Sequence, residues 1–255
     1  MVEKFFGINY EFDFDAAIAS IDEKLRVGET GYICVSDGVI LNTYHRNEGY
    51  RNVVDNAMFS ICDSSYVPIY IRRIYGLERK QCSGTKFMEL IVSQRKYTMA
   101  FVGGDKTILE SLKENLMKMN PDVENMLFYE LPFCKVADFD YEGIAAKINE
   151  AAPDIVFVSL GAPKQEFFMS FLAPHLKRGV SIAVGAAFKF HSGKGEKRAP
   201  KWMLKCHLEF LHRIFEDPKK QIPRCFWILR TTPGILWREW RKVRKERRQT
   251  KNKEE

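Results

Sequence analysis

The stretch Asp154-Ile-Val-Phe-Val-Ser-Leu-Gly-Ala-Pro-Lys-Gln-Glu166 limits what this chain can fold into more than any other part of it. Residues 155–160 form a short, continuous apolar run rich in β-branched side chains, which predicts a strand buried on both faces. Gly161 and Ala162 turn the chain. Pro163 suits the first position of a helix, where its missing N–H is not needed. Phe167, Phe168, Phe171, Leu172 and Leu176 then recur at helical spacing and give one apolar face. A buried strand therefore runs straight into a helix whose free N–H groups overlie the strand's carboxyl end. An open α/β sheet binds ligands at that point, and orphan N–H groups with the helix dipole favour a diphosphate there. Lys164 and Gln165, in the first helical turn, offer a charge and an amide to such a ligand. On spacing alone, an ordinary strand–helix connection fits as well.

The rest of the chain alternates in the same way. Residues 15–25 carry an amphipathic helical pattern, 31–35 a strand, and a helix follows the break at Ser36-Asp37-Gly38 through about 46. Residues 58–62 read as a short apolar strand ending at Asp63. Residues 67–74 fit a helix or a strand, and 85–93 a helix. A strand at 98–102 ends in Gly103-Gly104-Asp105 before a helix to about 119. A strand at 126–129, a helix at 141–151 ended by Pro153, and a strand at 180–187 complete the series. The alternation predicts an α/β fold, a Rossmann-like and mostly parallel sheet with helices on both faces. The pair Gly103-Gly104 lets backbone approach a nucleotide or simply makes a tight turn. It is not the full dinucleotide fingerprint, because no third glycine follows at the right distance.

A chain of 255 residues, 45% of them hydrophobic, can bury one sizeable core and carry an appendage. No stretch approaches the roughly 18 apolar residues of a membrane span, and residues 1–10 lack the apolar run of a secretory signal. The six cysteines are scattered without a Cys-x-x-Cys pair, as expected of small hydrophobes in a reducing cytosol. The net charge of +7 is uneven: from residue 194 onward 19 Lys and Arg face 8 Asp and Glu, whereas residues 1–193 hold 21 against 25. The shift divides a Rossmann-like domain, 1–195, from a basic appendage, 196–255. In the appendage, a Thr-Thr-Pro-Gly break at 231–234 precedes a helix on which Leu236, Trp237, Trp240 and Val243 share one face. Arg238, Arg241, Lys242 and Arg244 supply the basic side. Tryptophans opposite basic residues describe a helix lying in an anionic membrane interface; the alternative is a helix packed on the body with a solvated charged face.

Three further segments join the 161–166 turn: Phe188-Lys-Phe-His-Ser-Gly193, Lys197-Arg-Ala-Pro-Lys-Trp202 and Leu208-Glu-Phe-Leu-His-Arg213. The series resembles the WecG/TagA/CpsF glycosyltransferase family, whose members carry Gly-x-Pro-x-Gln-Glu, Gly-x-x-Phe-Asp-Phe-x-x-Gly, Arg-Ala-Pro and Leu-Glu-Trp-x-x-Arg. The resemblance implies an inverting transferase moving a sugar from a UDP-sugar to a polyprenyl-diphosphate-linked acceptor in bacterial cell-surface polysaccharide or teichoic-acid-type biosynthesis. The sugar would be of N-acetylmannosamine, hexose or uronic-acid type. It also implies no cofactor or metal, and a cytoplasmic enzyme held peripherally on the inner face of the membrane by its appendage. Asp63 falls where the family has its catalytic Asp-Gly, 26 residues after Asp37, which stands in place of an Asn. The resemblance makes Asp63 the general base that takes the acceptor hydroxyl's proton. Asp37, Gly103, Gly104, Gly161, Lys164 and Gln165 are the candidates to border the donor, and Arg198 and Arg213 are expected to clamp its diphosphate.

Three further departures from the family pattern bear on the base and the donor pocket. Ser64 replaces the Gly after the catalytic Asp, Lys86 stands where an acid is usual, and Lys189 interrupts Phe-Asp-Phe. Two lysines in place of acids at the donor pocket point to a donor sugar carrying a carboxylate, or else to a drifted and weak enzyme. Asp13-Phe-Asp15 and Asp138-Phe-Asp140 spell the metal motif of many sugar transferases, yet each precedes a predicted helix and suits an N-cap. The competing functional reading is a non-catalytic Rossmann-like nucleotide-binding protein with a basic membrane- or RNA-binding tail.

Overall fold

Segments of three to seven residues, apolar in the middle of the sheet, form its eight strands in the computed structural model, which describes residues 1–194, 199–200, 202–203 and 206–254. In chain order these are β1 (Glu3–Phe5), β2 (Ile8–Glu11), β3 (Thr30–Ser36), β4 (Phe59–Cys62), β5 (Met99–Gly103), β6 (Leu127–Tyr129), β7 (Ile155–Ser159) and β8 (Gly179–Ala183). They lie side by side as β1-β2-β4-β3-β8-β7-β5-β6, and all neighbours run parallel except β1 and β2. Both faces are covered, as a parallel sheet requires. Ile155 and Phe157 of β7 enter one apolar cluster, while Val156 and Val158 enter the other.

Helices α1 (Phe14–Arg26), α5 (Gly84–Ser93), α6 (Lys106–Met117) and α9 (Ala187–Ser192) cover the first face. The second face carries α2 (Gly38–Arg46), α3 (Glu48–Asp55), α4 (Val67–Tyr75), α7 (Tyr141–Ala151) and α8 (Lys164–Leu172). The segment at 67–74, open between helix and strand, is helical: Pro68 sits in its first turn and Gly76, at φ 77°, ends it. Helix α8 begins one residue after Pro163, whose peptide bond to Ala162 is cis. Both Asp-x-Asp sequences act as caps. Asp13 Oδ1 accepts from the N–H of Asp15 (2.8 Å) and Ala16 (3.0 Å), and Asp140 Oδ1 accepts from Gly143 N–H (2.9 Å).

Three elements differ from expectation. Residues 3–11 form a hairpin whose two-residue loop, Phe6-Gly7, has positive φ at both positions (54° and 85°), the geometry of a primed turn. Phe6 accepts that backbone because its ring is fully buried, so side-chain packing overrides local preference. Helix α3 was absent from the sequence pattern, being short and capped by Asn47, whose side chain accepts from Tyr50 N–H (2.9 Å). The largest difference lies in the appendage. After α10 (Glu209–Glu216), residues Pro218–Glu254 form one helix, α11, which runs through Pro223 and Pro233 without the expected break. The Thr231 hydroxyl bonds the Trp227 carbonyl (2.7 Å) and Asn42 of α2, Asn42 Nδ2 donates to Thr232 Oγ1 (3.3 Å), and Ile235 is buried in the body. These contacts hold the helix together where proline alone would open it. Further along, Tyr75 donates to Glu239, and Arg247 donates to the carbonyls of Ile74 (3.3 Å) and Tyr75 (2.9 Å) at the end of α4.

Candidate active site

The carboxyl ends of five adjacent strands, β4, β3, β8, β7 and β5, open on one side of the sheet. In the register of β3 and β4, Ser36 pairs with Cys62, so the next residues, Asp37 and Asp63, emerge side by side. Asp37 caps α2, its Oδ1 accepting from Val39 N–H (2.8 Å) and Ile40 N–H (3.1 Å). Asp63 Oδ1 accepts from Gly84 N–H (3.0 Å) at the start of α5. Gly84 is required there, since a Cβ would meet Val35 Cγ1 at 2.6 Å. Asp63 keeps part of its surface open but is enclosed by protein, and burial pushes its carboxyl up to about 7. The Gly84 N–H opposes that shift, the like charge of Asp37 adds to it, Arg213 opposes it, and Glu209 adds to it. A carboxyl poised near neutrality is suited to taking a proton. Ser64, the departure beside it, turns its hydroxyl to the N–H groups of Tyr66 (3.2 Å) and Val67 (3.3 Å), fixing the first turn of α4.

On the other side of the opening, Gly161 (φ 75°) and Gly185 (φ 53°) turn the chain after β7 and β8. Gln165, almost fully buried, joins these turns: its Oε1 accepts from Gly161 N–H and Gly185 N–H, both at 3.1 Å. Its Nε2 donates to Oε1 of Glu166 (2.8 Å). Glu166 is completely buried, and burial pushes its carboxyl up to about 7, opposed by the Gln165 amide. Gly103, at φ 102°, allows β5 to pass β7: a Cβ there would meet the Ser159 carbonyl oxygen at 2.6 Å. Its neighbour Gly104 borders the opening.

Two cavities occupy this end of the sheet. The first, of about 200 Å³, lies over β3, β7 and β8 and is bordered by Gly104, Gly161, Gln165, Gly185, Lys189 and Lys220, among others. The second, of about 320 Å³, lies between α2, α4, α10 and α11 and holds Tyr66, Tyr70, Phe210, Ile228 and Leu229. Asp37, Asp63, Arg213, Gln221 and Arg224 line both. Arg213 is tethered by Glu209, its Nε and Nη2 donating to Glu209 Oε1 at 3.1 and 2.7 Å. Arg224 donates to the Ala162 carbonyl (2.9 Å), tying α11 to the turn before α8.

The expected site residues thus divide. Asp37, Asp63, Gly104, Gly161, Gln165, Lys189 and Arg213 come together. Lys164 turns away, donating to the Cys134 carbonyl (2.5 Å) and lying 4.8 Å from the Phe139 ring centre. Lys86 is exposed on α5 and lines neither cavity. Arg198 lies outside the described residues. Lys220, Gln221 and Arg224 were not anticipated; their i, i+1, i+4 spacing marks one face of a helix whose start the sequence pattern had not located.

The appendage residues also divide differently from the expected face. Val243 is buried against the body and Leu236 packs partly there, whereas Trp237 and Trp240 are exposed. Continuation of α11 through Pro233 lines up Ile222, Phe226, Leu229, Trp237 and Trp240 along one outward side, all exposed. Arg241 stacks 4.7 Å over Trp237 and Arg244 lies 5.1 Å over Trp240, while Arg238 and Lys242 are exposed. Among the described residues, no helix is long and apolar enough to cross a membrane.

Residues 4–249 match the Glycosyl transferase WecG/TagA/CpsF family. A protein of Bacillus spizizenii (strain ATCC 23059 / NRRL B-14472 / W23), called N-acetylglucosaminyldiphosphoundecaprenol N-acetyl-beta-D-mannosaminyltransferase, is 28% identical over 82% of this chain and 83% of its own length. Proteins of the same name from Bacillus subtilis (strain 168) and Staphylococcus aureus (strain MW2) are 26% and 22% identical. Each of these two matches covers 74% of this chain, and 76% and 73% of the relatives. A match over nearly the whole length sets aside the non-catalytic reading, and the chain belongs to the WecG/TagA/CpsF family of glycosyltransferases.

Proposed function

We propose that the protein transfers a sugar from a UDP-sugar to a polyprenyl-diphosphate-linked acceptor, with inversion at the anomeric carbon, in the assembly of a bacterial cell-surface polymer. The observation that carries this reading is that Asp63 belongs to two cavities at once. The cavity over β3, β7 and β8 has the backbone turns, the helix start and the cations that suit a nucleoside diphosphate. The cavity beside Tyr66, Tyr70 and Phe210 has the aromatic surfaces that suit a sugar on a lipid carrier. An acceptor hydroxyl in the second cavity gives its proton to Asp63, and its oxygen attacks the anomeric carbon held in the first. The bond from that carbon to the diphosphate breaks, and UDP leaves with the bonding pair beside Arg213 and Arg224. Attack from the side opposite the leaving group gives inversion. The names of the relatives support N-acetylmannosamine as the donor sugar and N-acetylglucosamine on undecaprenyl diphosphate as the acceptor.

Lys189, at the edge of the first cavity, favours a second possibility for the donor, a uronate whose carboxylate it would meet. Lys86 does not share that role, because it lines neither cavity. Lys189→Ala then weakens use of a UDP-uronate more than of its neutral counterpart; equal effects on the two donors remove the uronate reading.

The central test is Asp63→Asn. Turnover of UDP-N-acetylmannosamine with a short-chain lipid acceptor should fall about a hundred- to ten-thousandfold, the contribution of a general base, while UDP affinity stays within about threefold. Loss of UDP binding instead would assign Asp63 to the donor site.

A further inference from the structure

The reaction outlined above leaves unused a fully buried carboxyl directly behind the donor cavity. Glu166 has no exposed surface; among the described residues, the titratable groups that act on it are Tyr50 of α3, Cys34 of β3 and, farther off, Asp37 at the head of α2. A carboxyl in such surroundings persists only where its hydrogen bonds are in order. Its Oε1 accepts from Gln165 Nε2. Its Oε2 and the Tyr50 hydroxyl, next to each other, have no other partner among the described residues.

The orientation of the Gln165 amide follows from its contacts. Two backbone N–H groups, of Gly161 and Gly185, converge on one terminal atom of Gln165, and only the amide oxygen can accept from both. The NH2 group must then point at Glu166, which has to accept. We propose that Glu166 is a positioning residue: its carboxyl, backed by Tyr50, locks the Gln165 amide so that the turns after β7 and β8 are clamped into one rigid wall of the donor cavity. Without that lock the amide can rotate, and Gly161 and Gly185 lose a shared acceptor on a backbone already held at positive φ. The carboxyl needs no charge for this task. Burial pushes it up to about 7, and a glutamine side chain reproduces the proton-bearing form.

The importance of the clamp for catalysis rests on reading this cavity as the nucleoside-diphosphate site, so the test has one readout that needs no ligand. Amide hydrogen exchange at Gly161 and Gly185 is measured in the unliganded protein, and UDP binding by calorimetry, for wild type, Glu166→Gln, Glu166→Leu, Gln165→Ala and Gln165→Ala/Glu166→Leu. Glu166→Leu should speed exchange at both glycines and weaken UDP about tenfold, the scale of one hydrogen bond left unmade, with the centre of the sheet unaffected. The double variant should be no worse than Gln165→Ala, because both changes remove the same clamp. Glu166→Gln should match wild type in both readouts. Unchanged exchange in Glu166→Leu, additive losses in the double variant, or loss of the wild-type pattern in Glu166→Gln overturns the proposal. If Glu166→Leu does not fold, Glu166→Gln alone decides. If wild type binds no UDP, the donor-site reading fails while exchange at the two glycines still tests the clamp.

Discussion

Asp63 sets two pH dependences of opposite kind. As the proposed base it would work only when ionised, so kcat/KM should climb as pH rises through about 7 and level off above it. Asp37 is one reason the value is high. Asp37→Asn keeps a good N-cap for α2 while removing that like charge, and should move the rising limb toward acid by a fraction of a unit to about one unit. A limb that stays in place would mean that Asp37 does not face the ionising group. Stability responds in the other direction. The carboxyls of Asp63 and Glu166 both sit near 7 in the fold and near 4 when unfolded. Their contribution is therefore complete below about pH 4 and is lost as pH rises through about 7. Urea midpoints at pH 5 and pH 8 should differ for the wild type, and differ less for Asp63→Asn and for Glu166→Gln.

Among the elements, the start of α5 is a tight joint of the site. Gly84→Ala forces a methyl group into Val35, a stiff β-branched residue of β3, and should cost about 1–3 kcal/mol with a large fall in activity as Gly84 N–H leaves Asp63. Val35→Ala in the same chain should restore part of both, which chemical denaturation and kinetics would measure. The elements legible in the sequence are those where one physical signal dominates. The run at 155–160 could be little other than a buried strand, whereas Asp63 and Gln165, which position alone leaves as ordinary turn or helix-start residues, are marked as site candidates by the family resemblance. What stayed hidden depends on contacts remote in sequence. The turn at Phe6-Gly7 exists because the Phe6 ring is buried, and α11 survives Pro233 because Asn42 and Thr231 hold it. Arg224 enters the site only because that helix starts at Pro218. Lys164 went the opposite way: at the right place in the chain, it found the Cys134 carbonyl instead of the cavity.

At the scale of the whole molecule, α11 is both wall and surface. Cutting the chain before residue 235 would strip Ile235 and Val243 from the body, so membrane binding is better tested with exposed positions. Trp237→Ala/Trp240→Ala, and separately Arg241→Glu/Lys242→Glu/Arg244→Glu, should release the protein from vesicles containing anionic lipid, at about 1 kcal/mol for each basic residue near the surface. Melting temperature should stay nearly constant in both, and continued sedimentation with vesicles would refute the membrane role. The helix has 37 residues and is about 55 Å long. Arg224, which lines both cavities, and Trp240, on the outward stripe, ride on this one rod, with Ile235 anchoring it between them. Were its aromatic stripe to settle at a lipid surface, the helix would act as a gauge that sets the height of Asp63 above that surface. An acceptor whose reactive hydroxyl lies one sugar farther from its lipid would overshoot the carboxylate, so chain-length selectivity would follow from a fixed span with no contact to the extra sugar.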